Sequence, residues 1–314
     1  MNKITAGQIR VGVGGWSYEP WRGTFYPEKH PQKRELEYAS RQLTSVEINS
    51  TYYSSQKLET FLKWREETPD DFVFSVKAPR FATQRKVLSE AGESIERFFN
   101  TGVLALGPKL GPINWQFMPS TKFNQHDMRG FLSLLPKRVD GVDLRHAIEV
   151  RNASFSEPAF IALAKEFDVA IVLAVDSDYP EIADATSSSC YLRIMGTSED
   201  EADGYSARNL SEWARRLHAL AAGEPVKALR TFGEAHASPP RDVAPISSAA
   251  RRYVIRLPQK RCSRSCKGAN NYAIQRKDVC AKQKNASNTH IMPVRPLHIG
   301  FRIRRGLISL VPRH

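Results

Sequence analysis

Short apolar runs alternate with segments of helical periodicity along the first 223 residues of the chain. Residues 169–175 form the clearest buried strand because they are apolar throughout, whereas residues 45–49 alternate apolar and polar side chains. Leu210 and Trp213 lie at the spacing of a helix face, and Gly223 is well placed to end that helix. Seven strands, each followed by a helical segment, are predicted at residues 9–14, 45–49, 72–77, 103–106, 147–151, 169–175 and 190–195, and the fourth is expected to continue in extended form over residues 113–118.

This alternation predicts a parallel sheet covered by helices. Seven such units favour a TIM-type (β/α) barrel over an open sheet, provided that one more strand follows. That strand is expected near Val226, but the sequence beyond it contains Pro239-Pro240 and no sustained apolar period. We therefore predict a barrel domain over residues 1–223 that is incomplete at its eighth unit, followed by a low-order tail over residues 224–314.

The charge of the chain changes at the same place. Residues 224–314 carry 19 Lys and Arg against 4 Asp and Glu, whereas residues 1–223 carry 27 basic and 29 acidic side chains. The net charge of +13 therefore comes from the tail, because the first part has a net charge of −2. The charge of residues 1–223 does not support nucleic-acid binding by the barrel.

Two hypotheses explain the basic tail. The first is a change of reading frame close to residue 224, which would make the tail an accident of translation. The second is a genuine basic extension that binds nucleic acid or anionic lipid. We favour the frame change, because the sequence becomes strongly basic and loses its apolar periodicity at the point where the barrel still needs an eighth strand. A barrel left open in this way would expose the edges of its first and seventh strands, aggregate and have no function.

The sequence contains no membrane-spanning stretch, and its first fifteen residues lack the apolar core of a signal peptide. We therefore expect a cytoplasmic protein that does not associate with a membrane.

Polar and aromatic side chains stand at or just after the carboxyl ends of the predicted strands. In a barrel these ends converge on one face, where functional sites are built. The candidate site residues are Trp16, Tyr18, Glu47, Asn49, Lys77, Gln116, Glu149, Arg151, Asp176 and Arg193. Such a cluster favours a site over packing alone, because unpaired buried charges are costly. Each member also has a structural explanation, such as an ion pair between Glu149 and Arg151.

Two classes of function are consistent with this cluster. In the first, an enzyme acts on a small anionic or sugar-like substrate, with Glu47 or Glu149 as the proton carrier and Lys77, Arg151 and Arg193 holding the anion. In the second, a non-catalytic protein binds a metabolite or nucleic acid in the same pocket. A proton carrier needs a carboxylate with a raised pKa, whereas in a pure binding protein every carboxylate is paired. The sequence leaves open whether the protein is an enzyme.

Metal and covalent chemistry are two further alternatives. Glu47, Glu149 and Asp176 could together hold a divalent metal, but the basic side chains beside them are candidate partners, so no metal is assigned. Lys77 could form a Schiff base if its neighbours lowered its pKa, and a nearby carboxylate would oppose that. The cofactor, if there is one, is unknown.

Several motifs between residues 11 and 196 occur in an order that is typical of one family. They are Gly14-Gly15-Trp16-Ser17-Tyr18, Phe25-Tyr26-Pro27, Val46-Glu47-Ile48-Asn49-Ser50-Thr51-Tyr52-Tyr53, Phe74-Ser75-Val76-Lys77-Ala78-Pro79-Arg80, Leu110-Gly111-Pro112, Ile148-Glu149-Val150-Arg151 and Tyr191-Leu192-Arg193. With these motifs the chain resembles the YecE-like proteins, a family of unknown function. The resemblance implies a bacterial TIM-type barrel with no established reaction. The sequence departs from that family at Met195, where a histidine is usual, and after Gly223, where the final strand and helix are not recognisable.

Overall fold

The computed structural model describes residues 7–247, except residues 199, 202, 203, 235 and 236. Eight strands within this part of the chain form one sheet. They are β1 (Gly12–Gly14), β2 (Ser45–Ile48), β3 (Val73–Lys77), β4 (Leu110–Gln116), β5 (His146–Glu149), β6 (Ala170–Ile171 and Leu173–Val175), β7 (Ser189–Ile194) and β8 (Asp242–Ser247). A separate antiparallel hairpin, Arg138–Val139 with Val142–Asp143, precedes β5.

The sheet is parallel, and β6 joins its two ends. Its first segment, Ala170–Ile171, pairs with β5, and its second segment, Leu173–Val175, pairs with β7. Between the two segments, the amide of Val172 donates to the carbonyl oxygen of Ile148 at 2.9 Å. The remaining neighbours follow the order β5, β4, β3, β2, β1, β8 and β7. The fold is therefore a TIM-type (β/α) barrel, as the sequence predicts.

Helices lie in most of the connections between strands. The α-helices are α1 (Glu35–Gln42), α2 (Ser50–Tyr53), α3 (Leu58–Glu67), α4 (Arg80–Thr83), α5 (Gly92–Phe99), α6 (Gln125–Ser133), α7 (Pro158–Glu166) and α8 (Ala207–Ala222). Short 3-10 helices are formed by Glu19–Trp21, Gln32–Arg34, Leu88–Glu90, Val103–Lys109 and Ala153–Phe155. Gly223 ends α8 in the left-handed conformation with φ 77°, as predicted. No helix in the described ranges is both long and apolar enough to cross a membrane.

Alternate residues of each strand face the helices. Val46 and Ile113, for example, pack in the main hydrophobic cluster with Phe61 of α3 and Phe98 of α5. The residues between them on the same strands point into the barrel, because successive side chains of a strand alternate between its faces. Deep in the barrel the inward positions form a small apolar cluster of their own. It consists of Ala147, Ala170, Val172, Tyr191, Ala244 and Ile246.

The expectation that no eighth strand follows Gly223 is wrong. Strand β8 runs in register with β7 over its whole length and also pairs with β1, where Gly12 lies opposite Ile246. The strand starts at Asp242 instead of near Val226, because the residues after α8 first form an irregular connection. The strand is difficult to predict from the sequence because it contains Pro245, and proline is rare in a strand with neighbours on both sides.

Because β8 covers the edges of β1 and β7, the exposed edges expected of an open barrel do not occur in the described sheet. The barrel thus extends beyond the predicted domain boundary at Gly223. Most of the basic tail, residues 248–314, lies outside the described residues, as does any helix that follows β8. The hypotheses about that part of the tail remain predictions.

A second difference concerns the fourth strand, which was predicted at residues 103–106. Those residues belong to the 3-10 segment Val103–Lys109, which is interrupted at Gly107, where φ is 54°. Strand β4 begins only at Leu110. The error arose because Val103 and Leu106 are buried, so their apolar run has the appearance of a strand although its backbone is helical.

Candidate functional site

Charged and amide side chains fill the carboxyl end of the barrel interior. Glu47, Asn114, Glu149 and Arg193 come from four different strands, and none of them is more than 5% exposed. All four take inward positions, since their neighbours along each strand face the helices. The structure therefore brings residues that are up to 146 positions apart in the chain into one buried cluster.

Arg193 is the centre of this cluster. Its Nη2 atom lies 2.6 Å and 2.7 Å from the two carboxylate oxygens of Glu47, and its Nε atom lies 2.6 Å from Oε2 of Glu149. Charge-assisted hydrogen bonds of this length are the strongest that side chains make. One guanidinium thus holds two buried carboxylates in fixed positions.

Further donors satisfy the remaining carboxylate lone pairs. The Tyr191 hydroxyl donates to Glu47, and the Asn114 amide donates to Oε2 of Glu149 at 2.9 Å. Gln116 Nε2 donates to Oε1 of Glu149 at 2.5 Å. Neither carboxylate is left without partners, so both are well placed to remain ionised.

The pKa values reflect this arrangement. Burial, the largest single effect, would raise the pKa of Glu47 and of Glu149, but the charges of Arg193 and Lys77 and the hydrogen bonds from neighbouring donors together outweigh it, so the pKa of both is lowered. Burial would likewise lower the pKa of Arg193, and the two carboxylates raise it instead. Burial and the charge of Glu47 raise the pKa of Tyr191, so its hydroxyl keeps its proton and remains a donor.

Lys77 lies beside this cluster at the end of β3 and is half-buried. Its Nζ atom lies 4.9 Å from the centre of the Tyr52 ring, and it forms no ion pair with any described residue. Burial lowers the pKa of Lys77, and the charges of Arg193 and Arg151 lower it further, although Glu47 acts in the opposite direction. The Thr51 hydroxyl fixes the backbone there by donating to the Lys77 carbonyl oxygen at 2.7 Å.

Arg151 is more exposed than the four central residues, with 22% of its side chain accessible. Its Nε and Nη2 atoms donate to Oε1 of Glu149 at 3.0 Å and 2.7 Å. Its Nη1 atom donates to the Tyr179 hydroxyl at 3.2 Å, and the centre of the Tyr179 ring lies 4.4 Å from the guanidinium carbon. Arg151 and Lys77 therefore occupy the outer, more accessible side of the cluster.

Two further predicted residues adjoin the cluster. Gln116 contacts Glu149, as described above. Asn49 lies next to β1, because a Cβ atom placed on Gly14 would be 3.1 Å from Asn49 Nδ2 and 3.9 Å from Glu47 Oε1. The absence of a side chain at Gly14 thus leaves room for both polar groups at the end of the barrel.

Trp16 and Tyr18 shape the turn after β1 instead of joining the cluster. Gly15 has φ 84°, and the Tyr18 hydroxyl donates to the Gly14 carbonyl oxygen across this turn. The Trp16 ring packs edge-on against Trp64 of α3, with ring centres 5.3 Å apart. The aromatic residues after the glycines therefore cover the core near this end of the barrel.

Asp176 is also separate from the cluster. It follows β6 with φ 53°, is exposed, and accepts hydrogen bonds from the Tyr205 hydroxyl at 2.6 Å and from Trp213 Nε1 at 3.3 Å. Gly196 packs so closely that a Cβ atom there would lie 2.4 Å from the Asp176 Cβ. This geometry ties the loop after β6 to α8 and gives Asp176 a structural role.

The carboxylates do not converge as metal ligands. Glu47 and Glu149 are both bound by Arg193, and Asp176 has its own partners in a separate loop. The described part of the chain contains no group of three or more His, Cys, Asp or Glu side chains placed to hold a metal ion.

Four contributors were missed at the sequence level: Asn114, Tyr191, Tyr52 and Tyr179. Asn114 and Tyr191 stand two residues before Gln116 and Arg193 on the same strands, so they share their inward face. The alternation of side chains could therefore have identified both. Tyr52 is in the short helix α2, and no periodic signal indicates that its ring lies over Lys77.

The fold and the cluster together define a class of protein, a parallel (β/α) barrel with a buried ion network at the carboxyl ends of its strands. The chain belongs to the family described as "Protein of unknown function DUF72", which it matches over residues 10–257. The YecE-like resemblance is thereby confirmed.

The relatives support the same assignment. The UPF0759 protein YecE of Escherichia coli (strain K12) is 31% identical over 142 residues, which cover 44% of this chain and 48% of that protein. The UPF0759 protein YunF of Bacillus subtilis (strain 168) is 27% identical over 157 residues, which cover 48% of this chain and 54% of that protein. The chain thus spans about half the length of the curated relatives it matches.

Solved structures of the family share the fold. A DUF72 family protein from Thermotoga maritima superposes with a TM-score of 0.61 at 20% identity, covering 79% of this chain and 95% of that one. A DUF72 family protein from Enterococcus faecalis gives a TM-score of 0.59 at 16% identity, covering 79% of this chain and 91% of that one. These similarities support the barrel architecture.

Proposed function

We propose that the protein binds a small anionic molecule, such as a carboxylate or a phosphorylated sugar, at the carboxyl end of the barrel. The observation that carries this proposal is the balance of charge in the cluster. Lys77, Arg151 and Arg193 supply three positive charges, whereas Glu47 and Glu149 supply two negative ones. An anion beside the cluster would neutralise the excess.

The anion is expected at the outer side of the cluster. Arg193 is 5% exposed and already holds two carboxylates, so it is not available to a ligand. Lys77 forms no ion pair with a described carboxylate, and Arg151 Nη1 donates one of its two N–H groups to the Tyr179 hydroxyl, which leaves the other for a ligand. Lys77 Nζ and Arg151 Nη1 are therefore the donors that we assign to the anion.

Two aromatic rings flank these donors. The Tyr52 ring lies beside Lys77, and the Tyr179 ring lies beside Arg151. Tyrosine rings pack well against the apolar face of a sugar or a planar group while their hydroxyls hydrogen-bond. A phosphorylated sugar or a short keto acid would combine the two kinds of contact.

In this proposal Glu47 and Glu149 are fixed negative charges and do not carry protons. Both have a lowered pKa and are held by Arg193, so neither offers the raised pKa that a general acid near neutral pH requires. Their role is to position the three cations. Binding is therefore better supported than acid–base catalysis by a carboxylate.

Calorimetric titration with phosphate, pyruvate and glucose 6-phosphate tests the proposal. Because a hydrogen bond to a charged group contributes about 1.5–3 kcal/mol, Lys77→Met should weaken binding about 10- to 100-fold. Arg129→Met is the matched control, since Arg129 pairs with Glu166 on the protein surface, and it should leave binding unchanged. Binding should also weaken as the pH rises and Lys77 loses its proton.

The proposal fails if none of the three anions binds to the wild-type protein. It fails equally if Lys77→Met binds them as tightly as the wild type does.

A further inference from the structure

We propose that the amine of Lys77 is a nucleophile that forms an imine with the carbonyl carbon of the bound anion. This inference rests on the proposed anion site and narrows its ligand to a short keto acid or a phosphorylated aldehyde or ketone sugar. Lys77 would then be a catalytic residue, because its nitrogen forms a bond to the substrate.

The position of Lys77 suits this role. It is the last residue of β3, at the end of the barrel where sites are built, and it is half-buried against the Tyr52 ring. No described carboxylate forms an ion pair with its amine. The amine can therefore approach a carbonyl carbon without first breaking a salt bridge.

Lys109 provides the contrast within the same protein. Its buried Nζ atom donates to the carbonyl oxygens of Arg65 and Thr68 at 2.6 Å and 2.7 Å and to the Thr68 hydroxyl at 3.2 Å. Burial lowers the pKa of Lys109 as it does that of Lys77, but three acceptors occupy the Lys109 amine. Of these two lysines, only Lys77 has an amine that is shielded from solvent and makes no hydrogen bond or ion pair with a described residue.

Five charged or titratable groups act on the Lys77 amine, and they come from β2, β5, β7, α2 and the residues just after β5. Arg151 and Arg193 lower its pKa, in addition to the larger effect of burial, whereas Glu47 and Glu149 raise it. The Tyr52 ring contacts it from α2. The net result is a lowered pKa, so a larger fraction of Lys77 is neutral near pH 7 than of an exposed lysine.

The reaction is balanced without any further reagent. The neutral amine attacks the carbonyl carbon, one proton passes from its nitrogen to the carbonyl oxygen, and the carbinolamine that forms loses water to give the imine, whose nitrogen takes up one proton from solvent. The protonated imine carries the same single positive charge as the lysine ammonium. Glu47 and Glu149 therefore stabilise it as they stabilise the free side chain, and Arg151 remains available to hold the anionic group.

Reductive trapping tests the inference on the full-length protein. The protein is incubated with pyruvate or glyceraldehyde 3-phosphate and sodium cyanoborohydride near neutral pH, and the modified lysines are identified by peptide mass spectrometry. Because the lowered pKa of Lys77 leaves a larger fraction of its amine neutral, we expect Lys77 to be modified faster than exposed Lys63. Lys109 should stay unmodified. Excess phosphate should slow the modification of Lys77 and leave that of Lys63 unchanged.

Calorimetric titration of the wild-type protein with phosphate separates the two levels of the argument, because it measures anion binding independently of imine formation. Lys77→Arg cannot form an imine, so it should carry no adduct at position 77 while Lys63 is modified as in the wild type. Modification of Lys77 no faster than that of Lys63 in a wild-type protein that binds phosphate would overturn the imine and leave the anion site intact. Absence of both phosphate binding and selective modification would overturn both.

Discussion

Replacing Arg193 with methionine should destabilise the barrel strongly. The substitution removes the guanidinium that lies 2.6 Å from both Glu47 and Glu149, whose carboxylates are 0% and 1% exposed. Removing one partner of a buried ion pair costs about 3–5 kcal/mol. Because Arg193 serves two carboxylates, we expect a loss in the free energy of unfolding near the upper end of that range at neutral pH.

The size of the loss should depend on pH in a defined direction. In the wild type both carboxyl groups have a lowered pKa, so the stability they contribute is present above their unfolded pKa of about 4 and is lost as the pH falls through the folded pKa. Without Arg193, burial dominates and raises the folded pKa of one or both groups. The difference in the free energy of unfolding between the wild type and the variant should therefore become smaller as the pH falls from about 7 to about 5.

Urea unfolding of both proteins across this pH range measures the effect. Arg129→Met is again the control, because its partner Glu166 is exposed and its loss should change stability little at any pH. A loss below about 1 kcal/mol for Arg193→Met, or a loss of the same size at every pH, would refute the electrostatic reasoning.

Two other predictions concern the barrel wall and the tail. Gly12→Ala should lower the free energy of unfolding by about 1–3 kcal/mol, because its Cβ atom would lie 2.6 Å from the Ser45 carbonyl oxygen. Gly92→Ala is the control and should be tolerated, because its Cβ atom would have no neighbour closer than 3.7 Å. Equal losses for the two variants in chemical unfolding would contradict the packing argument. If the reading frame changes, the change lies beyond β8, because Asp242–Ser247 pairs with both of its neighbours in the present frame and the family match extends to residue 257. DNA sequencing should then reveal the pattern of a final helix in another frame beyond codon 257. If neither other frame encodes such a helix, the frame change is refuted.

Much of the barrel could be predicted from the sequence because its strands follow simple patterns. Residues 169–175 are apolar throughout, and they form the strand that joins the two ends of the sheet. The strand around Pro245 was missed because its position is set by pairing with β1 and β7, and those contacts leave no mark on local periodicity. The strand propensity of a segment is judged from its own residues, whereas β8 forms because it pairs with the strands on both sides of it.

The polar cluster was predictable for a related reason. Glu47, Lys77, Glu149 and Arg193 are at the carboxyl ends of strands, and barrel geometry alone brings such positions together. Asp176 satisfies the same rule, but the left-handed backbone at this residue turns its side chain toward Tyr205. A conformation of that kind is decided by the packing of the following loop, so the strand pattern does not reveal it.

The proposed anion site can be tested most directly by crystallography with selenate, whose anomalous scattering identifies the bound anion. We predict a selenate ion within hydrogen-bonding distance of both Lys77 Nζ and Arg151 Nη1, beside the Tyr52 and Tyr179 rings. Crystals that contain no selenate at these two donors, or that hold it only elsewhere on the protein, would contradict the assignment of this end of the barrel as an anion-binding site.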